Sequence, residues 1–197
     1  TGADVAAAKK AAATPAAEAT TLAEAAKKRG NAAFAAKNSV EAIAAYTEAI
    51  RLDGGNGLLW GNRSAAHLQA QQPEAALADA EKMVDLLPSL AKAHFRLGNA
   101  HDGCGERAAA ATAYLEALRL EPANDALAGA VQRSSDALKK DPEHAALCAA
   151  CAAALDARKG GGEAAAKATR HTIAWSVAAA AGGEAPAKRG GATLTAL

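Results

Sequence analysis

The 197-residue chain is predicted to be all-α, built from helical hairpins stacked one on the next. Three observations predict it. Hydrophobic residues make up 51% of the chain but aromatic ones only 3%, because Ala dominates; Ala is the strongest helix former and lets helices approach closely. A pattern of small and large apolar positions recurs every 34 residues, over Ala23–Asn56, Gly57–Leu90 and Ala91–Asn124, without insertion. A fixed period of this length marks an architecture of stacked units. Helix breakers then close each unit, at Gly54-Gly55, Pro88 and Pro122.

Each unit reads as two helices, A and then B. Gly30, Ser64 and Gly98 are the small residues that let helix A approach helix B, and Ala42, Ala76 and Ala110 are the small residues facing them. Large or ring-bearing residues stand on helix A at Trp60 and His94, and aromatic ones on helix B at Tyr46 and Tyr114. The helix B seam continues through Ala49/Ile50, Met83/Val84 and Ala117/Leu118. Pro73 opens the second B helix at a position that tolerates it. Ala80 stands where the other units carry a ring, which predicts a thin outer wall there.

The flanks are less patterned. Residues 1–22 are rich in Ala, Thr and Lys and read as a linker or frayed helix. Residues 125–140 keep Leu127, Val131 and Leu138 on one stripe, the spacing of a solvent-facing capping helix. A helical extension is predicted over 141–181, in two parts. Asp141–Lys159 begins at an Asp-Pro start signal, Gly160–Gly162 breaks it, and Glu163–Ala181 follows with Trp175 and Val177. The Gly-, Pro186-, Lys188- and Arg189-containing segment 182–197 reads as a flexible tail.

Composition narrows the function classes. A formal net charge of +1 suggests neither a nucleic-acid nor a membrane partner, and no apolar run reaches the roughly 18 residues of a membrane span. Cys104, Cys148 and Cys151 are odd in number and give no disulfide framework, so a reducing, cytoplasmic setting is expected. The chain opens on Thr, read as a missing natural start, so an organelle stays open.

His144, Cys148 and Cys151 fall at i, i+4 and i+7 of one predicted helix. They lack a nearby fourth ligand and the strand–helix setting of a redox motif, so the cysteines read as packing residues beside Leu147 and Leu155. His67, His94 and His101 occupy repeat positions. No nucleophile motif, phosphate loop or pocketed carboxylate pair is present. No metal, cofactor or catalytic residue is therefore assigned, and the chain reads as a binding module.

Five polar residues on the A helices carry the binding chemistry. Lys27 and Asn31 are four apart and share a face, as do Lys92 and Arg96, and Asn62 stands on the second A helix. Two Lys, one Arg and two Asn supply cationic and amide donors, suited to a ligand with carboxylates close together, such as a peptide ending in Asp or Glu.

The 34-residue pattern resembles the tetratricopeptide repeat, over three repeats and slightly more than half the chain. The resemblance implies a right-handed α-solenoid, residues 23–140, with A helices lining a concave groove. The strings Lys27-Lys28-Arg29-Gly30-Asn31-Ala32-Ala33-Phe34, Gly61-Asn62-Arg63-Ser64-Ala65-Ala66 and Lys92-Ala93-His94-Phe95-Arg96 are similar to the carboxylate clamp of co-chaperones. It implies that Lys27, Asn31 and Asn62 hold a terminal carboxylate and that Lys92 and Arg96 hold acidic side chains. Phe34, Ala65 and Leu68 would line apolar pockets. The implied partner is the acidic, Glu-Glu-Val-Asp-like C-terminus of a heat-shock chaperone of the seventy- or ninety-kilodalton class. Asp102, on the third A helix, is expected to face the groove and repel so acidic a ligand, or to accept from its backbone. Two alternatives remain: a scaffold whose groove holds another subunit of a large assembly, and an organelle-surface receptor using the same clamp.

Overall fold

A computed structural model describes residues 15–160 and Lys167. Among them every regular element is helical: α1 (Pro15–Ala35), α2 (Ser39–Leu52), α3 (Gly57–Gln69), α4 (Pro73–Leu86), α5 (Ala91–Gly103), α6 (Arg107–Leu120), α7 (Asp125–Leu138) and α8 (Ala145–Ala157). Single 3-10 turns, Pro142–His144 and Arg158–Gly160, flank α8. Residues 15–22, expected as linker or frayed helix, are the opening turns of α1. The rest of that linker, the segment Glu163–Ala181 apart from Lys167, and the tail 182–197 lie outside the described residues.

The chain divides into two compact units on either side of the Pro88–Ser89 bond. The first contains α1 to α4, the second α5 to α8.

Local chemistry sets the helix ends. Asn38 Oδ1 accepts from Glu41 N while Asn38 Nδ2 donates to Glu41 Oε2 at 2.8 Å, a reciprocal cap on α2. Asn56 and Asn124 also cap α3 and α7, their Oδ1 atoms accepting from Leu58 N and from Ala126 N. Pro73 is the first residue of α4, where its missing N–H costs nothing.

The A-to-B turns are built alike in all three repeats. Lys37, Gln71 and Gly105 sit 34 residues apart and adopt φ of 59°, 57° and 79°. In each, the next residue closes a bond back over the turn at 2.9 Å: Asn38 N to Ala33 O, Gln72 N to His67 O, Glu106 N to His101 O. This is the Schellman arrangement, which satisfies the last carbonyls of helix A and favours Gly at the left-handed position. Only the third repeat has it.

The two outer repeats pack helix A on helix B through a ring laid against a glycine. A Cβ on Gly30 would lie 2.6 Å from Tyr46, and one on Gly98 would lie 2.4 Å from the Tyr114 ring. Any side chain there would collide with the ring. The middle repeat solves the same problem differently. Ala80 replaces the ring and is fully buried, so Ser64 fits where Gly stood and donates through Oγ to Ala76 O at 2.8 Å. Met83 moves in against Gly61, whose Cβ would meet the Met83 sulfur at 2.2 Å. Asp79, 4% exposed, accepts from Arg63 Nε at 2.8 Å and Nη2 at 2.7 Å, while Arg63 Nη1 donates to Thr47 Oγ1. The guanidinium also lies 5.0 Å from the Trp60 ring centre.

In the second unit the core runs through Leu115, Leu118, Val131, Leu138, Leu147 and Cys151. Here α7 buries Leu127, Val131 and Leu138 and exposes Gln132, Arg133 and Asp136, and α8 packs against it as well. Buried residues therefore wrap beyond a single stripe to include Ala128, Ser134 and Ser135. Arg158 straps the end of α8 back, donating to Pro122 O at 3.0 Å and to Asp125 Oδ1 at 2.7 Å. Cys151 is fully buried beside Ala150 and Ala154, and burial, with Cys148 adding, pushes its thiol up to about 12. It stays a protonated packing group at neutral pH.

Candidate functional site

The first unit holds Lys27, Asn31, Asn62, Phe34, Ala65 and Leu68; the second holds Lys92 and Arg96. In the first, α1 and α3 touch, so the first two A helices are neighbours.

Lys27 is half-buried on α1, and its Nζ donates to Glu24 Oε1 at 2.6 Å. Asn31 follows one turn later. Its Oδ1 accepts from Tyr46 OH at 2.8 Å, which orients the amide and leaves Nδ2 as its donor end. Tyr46 is 2% exposed and wedged against Gly30, so the anchor of Asn31 is itself fixed by packing. Asn62 is half-buried on α3, one residue before the Arg63 held by Asp79. Phe34 packs beside Ala33, Ala42, Tyr46 and Ala66 and keeps part of its ring accessible. Ala65 is buried, and Leu68 is half-buried.

In the second unit, Lys92 is exposed in the first turn of α5, and Arg96 is half-buried one turn later. No side chain caps that helix at Leu90. A lysine beside the positive end of a helix dipole is locally unfavourable, by roughly 0.3–1 kcal/mol, so Lys92 does not serve helix stability. Together with the uncapped N–H groups it makes this end of α5 attractive to an anion.

Asp102 is exposed at the end of α5. Its Oδ2 accepts from Tyr114 OH at 2.7 Å, and the same hydroxyl reaches Asn99 Oδ1 at 2.8 Å. Burial, and then the Asp102 carboxylate, raise the Tyr114 hydroxyl well above the ordinary tyrosine range, so it remains a donor. Asn99 and Tyr114 repeat the Asn31–Tyr46 pair at the same separation of 15 residues. Sequence reasoning missed this pairing, and the repeat phase carried the signal: an Asn after each packing glycine, an aromatic residue fifteen on. It also missed Glu24 and the Arg63–Asp79 pair.

The sequence model of the family described as Tetratricopeptide repeat matches residues 91–124. The second such domain of human RPAP3, solved in complex with the HSP70 peptide SGPTIEEVD, is 33% identical with a TM-score of 0.56 and covers 59% of this chain and 97% of that one. The chain belongs to the tetratricopeptide repeat family. The first such domain of Spaghetti (RPAP3), bound to the HSP90 peptide SRMEEVD, is 30% identical with a TM-score of 0.58 and covers 61% of this chain and 95% of that one. Among whole proteins, the Hsp70-Hsp90 organizing protein of Triticum aestivum is 47% identical over 106 residues, which are 54% of this chain and 18% of that protein. The chain thus spans less than a fifth of the length of that relative. Tetratricopeptide domains are protein-interaction modules. Among the described residues no helix is long and apolar enough to cross a membrane.

Proposed function

We propose that this tetratricopeptide domain binds the acidic C-terminus of a heat-shock chaperone, as a co-chaperone or chaperone adaptor. Lys27, Asn31 and Asn62 take the terminal carboxylate, and Lys92 and Arg96 take acidic side chains of the peptide. Phe34, Ala65 and Leu68 border the apolar residues. The observation that carries this reading is a ligand: a domain 30% identical to this chain is solved with SRMEEVD, a peptide ending in a carboxylate pair. The residue types here suit that chemistry. Arg grips a carboxylate with a fork and Lys with a point charge, and Asn31, its oxygen held by Tyr46 OH, offers the two N–H donors of its amide.

Titration of the chain with a short peptide ending in Glu-Glu-Val-Asp, as free acid and as C-terminal amide, tests it. One charge-assisted bond contributes ~1.5–3 kcal/mol, so amidation is expected to weaken binding about ten- to a hundredfold. Lys92→Ala and Arg96→Ala are expected to weaken the free acid, and added salt to weaken it further. Equal binding of the two peptides would remove the clamp and leave the scaffold reading.

A further inference from the structure

Lys27 does not wait for its ligand empty-handed. Glu24 lies one turn earlier on α1, and its Oε1 accepts from Lys27 Nζ at 2.6 Å. The two side chains are 47% and 28% exposed, so a ligand can reach both. The neighbouring cations are disposed otherwise: Arg29 pairs with Glu48 on α2, and Lys28 is exposed.

We propose that Glu24 is a built-in competitor for Lys27, a carboxylate occupying the ammonium that the ligand's terminal carboxylate must share or take over. This rests on the binding reading above. An ammonium has three donors, so a second carboxylate fits sterically. It must nevertheless approach with a like charge already within hydrogen-bond reach of the same nitrogen, and that repulsion opposes binding. The opposite effect, that Glu24 holds Lys27 ready for the ligand, is the weaker one. Exposed i,i+3 ion pairs restrain a lysine only slightly, whereas the repulsion, though screened, is met by every acidic ligand that reaches Lys27. Glu24 therefore lowers affinity and makes the site favour peptide ends that bring enough charge to displace it.

Glu24→Gln keeps length and helix propensity while removing the charge. It is expected to tighten the free-acid peptide about two- to fivefold, the worth of an exposed pair, with the gain shrinking as salt rises. In a Lys27→Ala background the same change is expected to give no gain, because the contested ammonium is gone. The proposal is overturned if wild type prefers the free acid while Glu24→Gln binds it equally or more weakly, or if the gain persists without Lys27. If wild type does not distinguish free acid from amide, the competitor falls together with the binding reading, which separates the two failures. Thermal melts of each variant show that the fold is unchanged.

Discussion

Tyr46 reaches back across its helical hairpin to hold Asn31, its hydroxyl 2.8 Å from Asn31 Oδ1, while its ring lies against Gly30. One side chain thus both closes the hairpin and orients an amide proposed to bind the ligand. The ring is fixed by burial at 2% exposure, so the amide inherits the rigidity of the core.

Tyr46→Phe separates these two roles. The ring stays and the hydroxyl goes, so chemical denaturation is expected to show a loss of about 1 kcal/mol. Peptide affinity is expected to fall as well, because Asn31 Oδ1 is released and the amide can rotate. Unchanged affinity with reduced stability would limit Tyr46 to packing.

Gly98→Ala tests the ring-on-glycine contact in the second unit. A methyl 2.4 Å from the Tyr114 ring forces one of them to move, and overpacking of this kind costs about 1–3 kcal/mol. Ser64→Ala, at the matching place in the middle repeat, meets no ring and is expected to lose only the bond to Ala76 O, about 1 kcal/mol. Thermal denaturation should rank the two variants in that order.

Lys37→Gly and Gln71→Gly are expected to stabilise. Both residues hold left-handed backbone that a side chain resists, and glycine removes that strain at some cost in unfolded-chain entropy, for a net gain of about 0.5–1 kcal/mol each. Gly105→Ala is the mirror test and should destabilise by a similar amount.

Alkaline pH should weaken the second unit through Cys151. Its thiol is raised in the fold, from 9.0 to about 12. The unfolded chain therefore loses this proton first as pH rises. The stability due to the buried neutral thiol is intact below about pH 9, and declines as pH climbs toward 12. The Tyr114 hydroxyl, raised by the same burial, works in the same direction. Cys151→Ala is therefore expected to reduce, without abolishing, the fall in stability measured by denaturant titration across that range.

What could be read from the sequence followed from the repeat. A period of 34 residues fixed where Gly30, Ala42, Tyr46 and their equivalents belonged, and the helices fall there. The same period could have located the left-handed turns, since Lys37 and Gln71 align with Gly105, but neither residue type advertises that conformation. Arg63 and Asp79 stayed hidden because a pair sixteen residues apart, made of common surface types, looks solvated until the hairpin closes. Glu24 stayed hidden for a similar reason: a glutamate near a lysine on a helix is ordinary in any sequence. The packing of α8 on α7 stayed hidden because α8 is so uniformly Ala-rich that its sequence does not say which face is buried.

The exchange of Ser64 and Ala80 for the glycine and tyrosine of the other repeats has a consequence for how the chain finds its fold. Tandem hairpins of like sequence can dock with the wrong neighbour, and such swapped assemblies are a common trap for repeat proteins. Here a tyrosine-bearing B helix meets a hydroxymethyl group if it tries to close on the middle A helix, and the middle B helix leaves a void if it closes on either of the other two. The middle hairpin thus carries a key of its own, and exchange of its helices with either outer hairpin is disfavoured.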